Sequence, residues 1–232
     1  MRAILVDWLV EIQVTFRLKT ETLFLAVSLI DRYLEKKTVS RANFQLVGVA
    51  ALLIANKYEE VLPAELGDFA QITEKMYTIE QILEYEGEIL YTLAFKLTIA
   101  SPLCFIERYS QILNCSKKEL YFARYVLETG LLDSRLLSHQ PSLQAASALY
   151  ISKLREENWN GEEAFCKELG YNLDAIETCA EDMMQALQKY HQSKSLRVIR
   201  EKYARSCYQG VSVFDLEKLV KTLQSNFTKK KK

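Results

Sequence analysis

Residues that make turns are scarce: seven glycines and three prolines in 232 residues. A sheet protein of this length needs more turn residues than that, so the chain reads as helical. The five cysteines, at positions 104, 115, 166, 179 and 207, are odd in number, widely spaced and without a C-x-x-C pair. This excludes a disulfide framework and a zinc ribbon, and predicts reduced thiols of an intracellular protein. The two histidines, His139 and His191, stand far apart without ligands at metal spacing, so neither a metal nor a cofactor is expected. No apolar run reaches the roughly 18 residues that a membrane span requires, and the opening residues do not read as a signal peptide. An excess of either charge is also missing. Thirty basic residues balance thirty acidic ones, which removes the electrostatic reason to expect nucleic acid or an anionic membrane as partner. The local exception, Lys229 to Lys232, predicts a basic disordered tail over 226–232. There is no Gly-rich phosphate loop and no nucleophile–base pair of recognisable spacing, so no enzyme is predicted.

What is present is apolar periodicity: 49 % of residues are hydrophobic and 26 % charged. Ile4, Leu5, Trp8, Leu9, Ile12 and Phe16 recur at helical spacing over 3–16. Thr20 is expected to cap a second helix whose stripe is Leu23, Ala26, Val27, Ile30 and Leu34. From Asn43 to Tyr58 there is almost no polar face, and Gly48, Ala50, Ala51 and Ala55 keep one side thin. A helix apolar nearly all round is a buried one, and small residues let neighbours approach its axis. It is predicted to be the central helix of a bundle. Helices are also expected over 65–72, 78–94, 103–112, 117–133, 141–155, 162–169 and 173–189.

The stretch Ile99-Ala-Ser-Pro102 is the best boundary, because proline forces its predecessor out of helical geometry. Across it, Leu29-Ile30-Asp31 recurs as Leu131-Leu132-Asp133, and the buried helix Val49–Lys57 resembles Ala145–Lys153. In each copy the aspartate is expected to trail into a loop ahead of the Ala-rich helix. Two pairs in one order about 100 residues apart predict two copies of one helical domain.

The residues Met1-Arg-Ala-Ile-Leu-Val-Asp-Trp-Leu-Val-Glu11 resemble the opening of the cyclin box. The resemblance continues through Leu29-Ile-Asp-Arg-Tyr-Leu34, Gln45-Leu-Val-Gly-Val-Ala50, Ala55-Asn-Lys-Tyr-Glu-Glu60, Gly67-Asp-Phe69 and Leu93-Ala-Phe95. Beyond residue 98 it is looser, carried by Pro141-Ser142 and Arg200-Glu-Lys-Tyr203. The closest likeness is to mitotic A/B-type cyclins, with B-type favoured. This implies an all-α fold of two tandem five-helix cyclin boxes at 1–98 and 99–225. In the family another helix precedes the first motif and a destruction signal lies further upstream; the chain starts at that motif.

The resemblance also implies a function: binding and activating a cyclin-dependent protein kinase and recruiting its substrates at the G2/M transition, in nucleus and cytoplasm. A cyclin-fold module of the transcription-factor type, binding DNA or protein, is the alternative. By resemblance Lys57 and Glu86 form the polar centre of the kinase-binding face, ringed by Ile54, Tyr58, Phe95 and Leu97. A second surface, of Met1, Ile4, Leu5, Trp8, Glu11 and Gln45, is implied to dock Arg-x-Leu peptides of substrates and inhibitors, with Glu11 receiving the arginine. Ile4 and Leu5 are adjacent on a helix and cannot face the same way. Arg2 and Asp31 are implied to be a structural ion pair joining two helices.

Overall fold

In the computed structural model, which describes residues 1–155 and 159–221, every regular element among the described residues is a helix. The chain divides into two units, Met1–Ile99 and Ala100–Lys232; the basic tail expected at 226–232 lies outside the described residues. The first unit holds α1 (Arg2–Thr15), α2 (Thr20–Lys36), α3 (Phe44–Glu59), α4 (Leu66–Ile72) and α5 (Ile79–Thr92). The second holds α6 (Pro102–Ile112), α7 (Lys117–Gly130), α8 (Pro141–Lys153), α9 (Glu162–Leu169), α10 (Leu173–His191) and α11 (Val198–Ala204). Three long helices, a short one and a long one thus follow in the same order twice, as the repeated motifs predict.

The helix starts have local causes. Thr78 with Gln81, and Ser116 with Glu119, form reciprocal capping boxes at α5 and α7, each satisfying two orphan amides. Ser101 caps α6, and prolines occupy the first positions of α6 and α8, where the missing N–H costs nothing. The α9 helix closes on Gly170 at φ 71°.

Helix α3 is the strut of the first unit. It is buried continuously from Leu46 to Asn56 and packs against α1, α2, α4 and α5. Gly48 is where α1 comes closest: a Cβ there would lie 2.7 Å from Leu5 Cδ1. At its far end Asn56, fully buried, donates to Ala64 O and accepts from Ala64 N, both at 3.1 Å. That pair ties down the loop after α3. In the second unit α8 takes the same central place, against α6, α7 and α10.

Several expectations are corrected. The N-cap of α2 is Lys19, not Thr20, and its side chain makes no cap bond. Glu60 caps the helix from a distance instead: its Oε1 accepts from Lys19 N (2.7 Å) and from the Thr22 hydroxyl (2.5 Å). The two repeated aspartates differ. Asp31 lies inside α2, whereas Asp133 follows α7 and caps a 3-10 turn, Ser134–Ser138. The helix expected over 117–133 therefore stops at Gly130, and α11 was not expected at all.

Candidate functional site

Lys57 is in the last turn of α3 and Glu86 faces it from α5. The ammonium donates to both carboxylate oxygens, at 2.7 and 2.9 Å. The lysine side chain keeps 50 % of its surface exposed and the glutamate 12 %. The pair is thus anchored at one end and open at the other, with one ammonium N–H and further carboxylate lone pairs available to an incoming backbone. Of the apolar residues expected around it, three keep exposed surface. Tyr58 is half exposed, its hydroxyl 2.6 Å from Thr98 Oγ1; Phe95 is 59 % exposed and Leu97 half-buried.

The position of Phe95 has a backbone cause. After α5, Ala94 and Phe95 both adopt left-handed φ (51° and 57°), which turns the chain sharply. Arg32 from α2 donates to Lys96 O at 2.5 Å and fixes that turn. Ile54 is a correction: it is 3 % exposed, so it belongs to the core behind the pair and offers no surface to a partner. Sequence reasoning missed Tyr91, whose ring meets Phe95 edge-on at 5.5 Å, and the strongly exposed Val61 and Leu62 in the loop that Asn56 holds. Apolar residues outside a helical stripe were the available signal for these two.

The second surface is a groove of about 360 Å³ lined by Met1, Ile4, Leu5, Trp8, Arg41, Phe44 and Gln45. Ile4 is 67 % exposed and Leu5 only 6 %, so the adjacent pair divides the work, one forming the rim and the other the floor. Arg41 and Phe44 were not anticipated; Arg41 comes from the turn that leads into α3 and Phe44 opens that helix. Glu11 does not line the groove. It lies exposed on α1, three residues beyond Trp8 and so on the same helix face.

The Arg2 guanidinium reaches both oxygens of Asp31, one at 3.0 Å, and clamps α1 to α2. Burial pushes the Asp31 carboxyl above its usual range, with Arg2 pulling the other way. Among the described residues no group of three or more His, Cys, Asp or Glu could hold a metal ion. No helix among them is long and apolar enough to cross a membrane.

Residues 1–98 match the family described as "Cyclin, N-terminal domain" and residues 100–217 match "Cyclin, C-terminal domain". The chain belongs to the cyclin family. Its relatives include A-type and B-type cyclins. Human cyclin-A2 is 38 % identical over 219 residues, covering 93 % of this chain and 50 % of that one. The G2/mitotic-specific cyclin-B2 of Oryzias javanicus is 47 % identical over 154 residues, 66 % of this chain and 40 % of that one. The chain spans about half the length of the curated relatives it matches. Among solved structures, a viral cyclin from herpesvirus saimiri superposes with a TM-score of 0.74 at 20 % identity, covering 81 % of this chain and 84 % of that one. At that identity the likeness speaks for the fold, two tandem all-α cyclin boxes.

Proposed function

We propose that the chain is a regulatory subunit that binds and switches on a cyclin-dependent protein kinase, recruits substrates to it, and acts at the G2/M transition in nucleus and cytoplasm. The observation that carries this reading is the Lys57–Glu86 pair, open on one side, in a unit that also exposes Tyr58, Tyr91, Phe95, Val61 and Leu62. A polar centre within aromatic and aliphatic anchors is how interface energy is concentrated. The names of the A-type and mitotic B-type relatives point the same way.

The action is a population shift, with no chemistry of its own. A kinase without its partner holds the regulatory helix where the catalytic Lys–Glu pair is broken. Moving it from 1:99 to 99:1 takes about 5.5 kcal/mol of differential affinity, which an interface of ordinary size and good packing supplies. The groove serves recruitment. The leucine of an Arg-x-Leu peptide enters between Ile4 and Trp8. Its arginine is repelled by Arg41 in the groove lining and drawn towards Glu11, exposed on the same face of α1.

Charge reversal at the centre tests the reading. Lys57→Glu sets two carboxylates against each other on a half-exposed surface, which costs the fold only about 1 kcal/mol. Helical circular dichroism should persist while kinase pull-down and histone phosphorylation both disappear. Full activation by the Lys57→Glu protein would show that the interface lies elsewhere.

A further inference from the structure

The C-terminal unit contains a cavity of about 250 Å³ that the proposed function does not use, lined by Ser116, Lys118, Glu119, Ser152 and Arg155. Arg155 follows α8 and lays its guanidinium over Phe122, 3.9 Å from the ring centroid, with Phe214 at 5.3 Å. Burial pushes its pKa down, and no neighbouring carboxylate among the described residues offsets that. This is a cation drawn partly out of water onto aromatic faces, without a counter-charge among the described residues.

Glu119, the acid in the cavity wall, is already engaged. Its Oε1 lies 2.5 Å from Lys153 Nζ, and its Oε2 accepts from Ser116 N at 2.6 Å. Burial disfavours its charge, but Lys153 and Ser116 outweigh that and hold the carboxyl below its usual range. Glu119 and Lys153 therefore cancel, leaving Lys118 and Arg155 as the surplus of positive charge among the described residues that line the cavity. Ser152 donates to Glu119 O at 2.9 Å. Ser116 Oγ accepts from Glu119 N at 3.2 Å, which leaves its own O–H free to donate.

We infer that this cavity binds a phosphate group, either as the free ion or as the phosphomonoester of a serine or threonine. Residues bearing a guanidinium, an ammonium and a hydroxyl line it, and a phosphate, with more charge and more acceptor oxygens than a carboxylate, suits such a set of donors better. The volume leaves room for the carbon of an ester. The site is separate from both surfaces of the N-terminal unit, so it stands or falls without them.

The test titrates the whole isotope-labelled chain with inorganic phosphate, O-phosphoserine and acetate at constant ionic strength, following the amides of Lys118 and Glu119. Saturable shifts with phosphate or phosphoserine are expected, at least tenfold weaker in Arg155→Gln and much weaker still with acetate. Tighter binding of phosphoserine would assign the site to a modified partner, and tighter binding of inorganic phosphate to the free ion. Should Arg155→Gln fail to fold, Lys118→Gln, at an exposed position, decides the matter by weakening binding at least threefold. Three results would each overturn the inference: an equal response to acetate, undiminished binding in the two variants, or binding that appears only after the adjoining Glu156 and Glu157 are changed to Gln.

Discussion

The N-cap amide of α2 is served from another helix's end, and that makes Glu60 a structural residue within a stretch the resemblance marks as functional. One carboxylate oxygen takes the N-cap amide of Lys19 and the hydroxyl of Thr22, and Thr22 is fully buried. Remove the carboxylate and a buried hydroxyl and a helix-terminal N–H lose their partner together. Capping losses run to about 1–2 kcal/mol, and an unsatisfied buried group costs about as much. Glu60→Ala should therefore lower the unfolding free energy by about 2 kcal/mol, with Glu60→Gln keeping part of it because its amide oxygen still accepts. Urea denaturation measures both. A Glu60→Ala protein as stable as the parent would mean that Lys19 and Thr22 find other partners. No reading of 19–22 alone could have found this cap, since the acceptor lies about 40 residues away. Thr20 was the natural choice from local rules because a threonine before an apolar stripe is the commonest cap signal. Arg155 escaped notice for a similar reason: its aromatic bed, Phe122 and Phe214, is assembled from two distant segments.

At the scale of helices, the sequence is most legible where burial is most complete. Helix α3 has no polar face to hide, so its centrality follows from composition alone, and its thin side is where α1 lies. The contact at Gly48 is close enough to set a limit. A methyl added there would stand 2.7 Å from Leu5 Cδ1, and Leu5 is also the floor of the groove. Overpacking of this kind costs about 1–3 kcal/mol, against which alanine's better helix propensity returns up to about 1 kcal/mol. Gly48→Ala should be destabilising on balance, and it should also push Leu5 and shrink the groove. Thermal unfolding reads the first effect. If the melting temperature rises, α1 has more freedom to retreat than the packing indicates. The converse case is α11, which escaped a reading by periodicity. Its seven residues bury a lysine: Lys202 is 2 % exposed, bonded to both oxygens of Glu128, with Tyr203 donating to the same carboxylate. Patterns that assume charged residues face water cannot recognise such a helix. The two copies of the box part company in the same way. Lys57 and Lys153 end equivalent helices, but Lys57 meets a carboxylate on α5 and stays half exposed, while Lys153 meets Glu119 on α7 and is mostly covered. The repeat is legible in spacing; the difference in use lies in which neighbour supplies the acid.

For the molecule as a working unit, α3 also sets a distance. The groove draws on Phe44 and Gln45 at the start of the helix, and the open ion pair draws on Lys57 near its end. Thirteen residues separate Phe44 from Lys57, and at 1.5 Å of rise each the two surfaces are about 20 Å apart. One rigid helix, buried between its ends, thus holds a kinase-facing surface and a substrate-facing surface too far apart to share contacts, so changes to them should act independently. On the function proposed, Trp8→Ala removes an aromatic wall of the groove and nothing near Lys57. With a short peptide substrate that lacks Arg-x-Leu, kinase activation by the Trp8→Ala protein should match the parent's in both the half-activating concentration and the plateau. With a substrate carrying the motif, KM should rise about tenfold, the equivalent of about 1.4 kcal/mol, with kcat unchanged, because docking adds binding that is equal in ground and transition states. Steady-state kinetics on the two substrates make the comparison. A fall in kcat on the motif-free peptide would show the two surfaces coupled through α3, and the helix would then be a lever between them instead of a spacer.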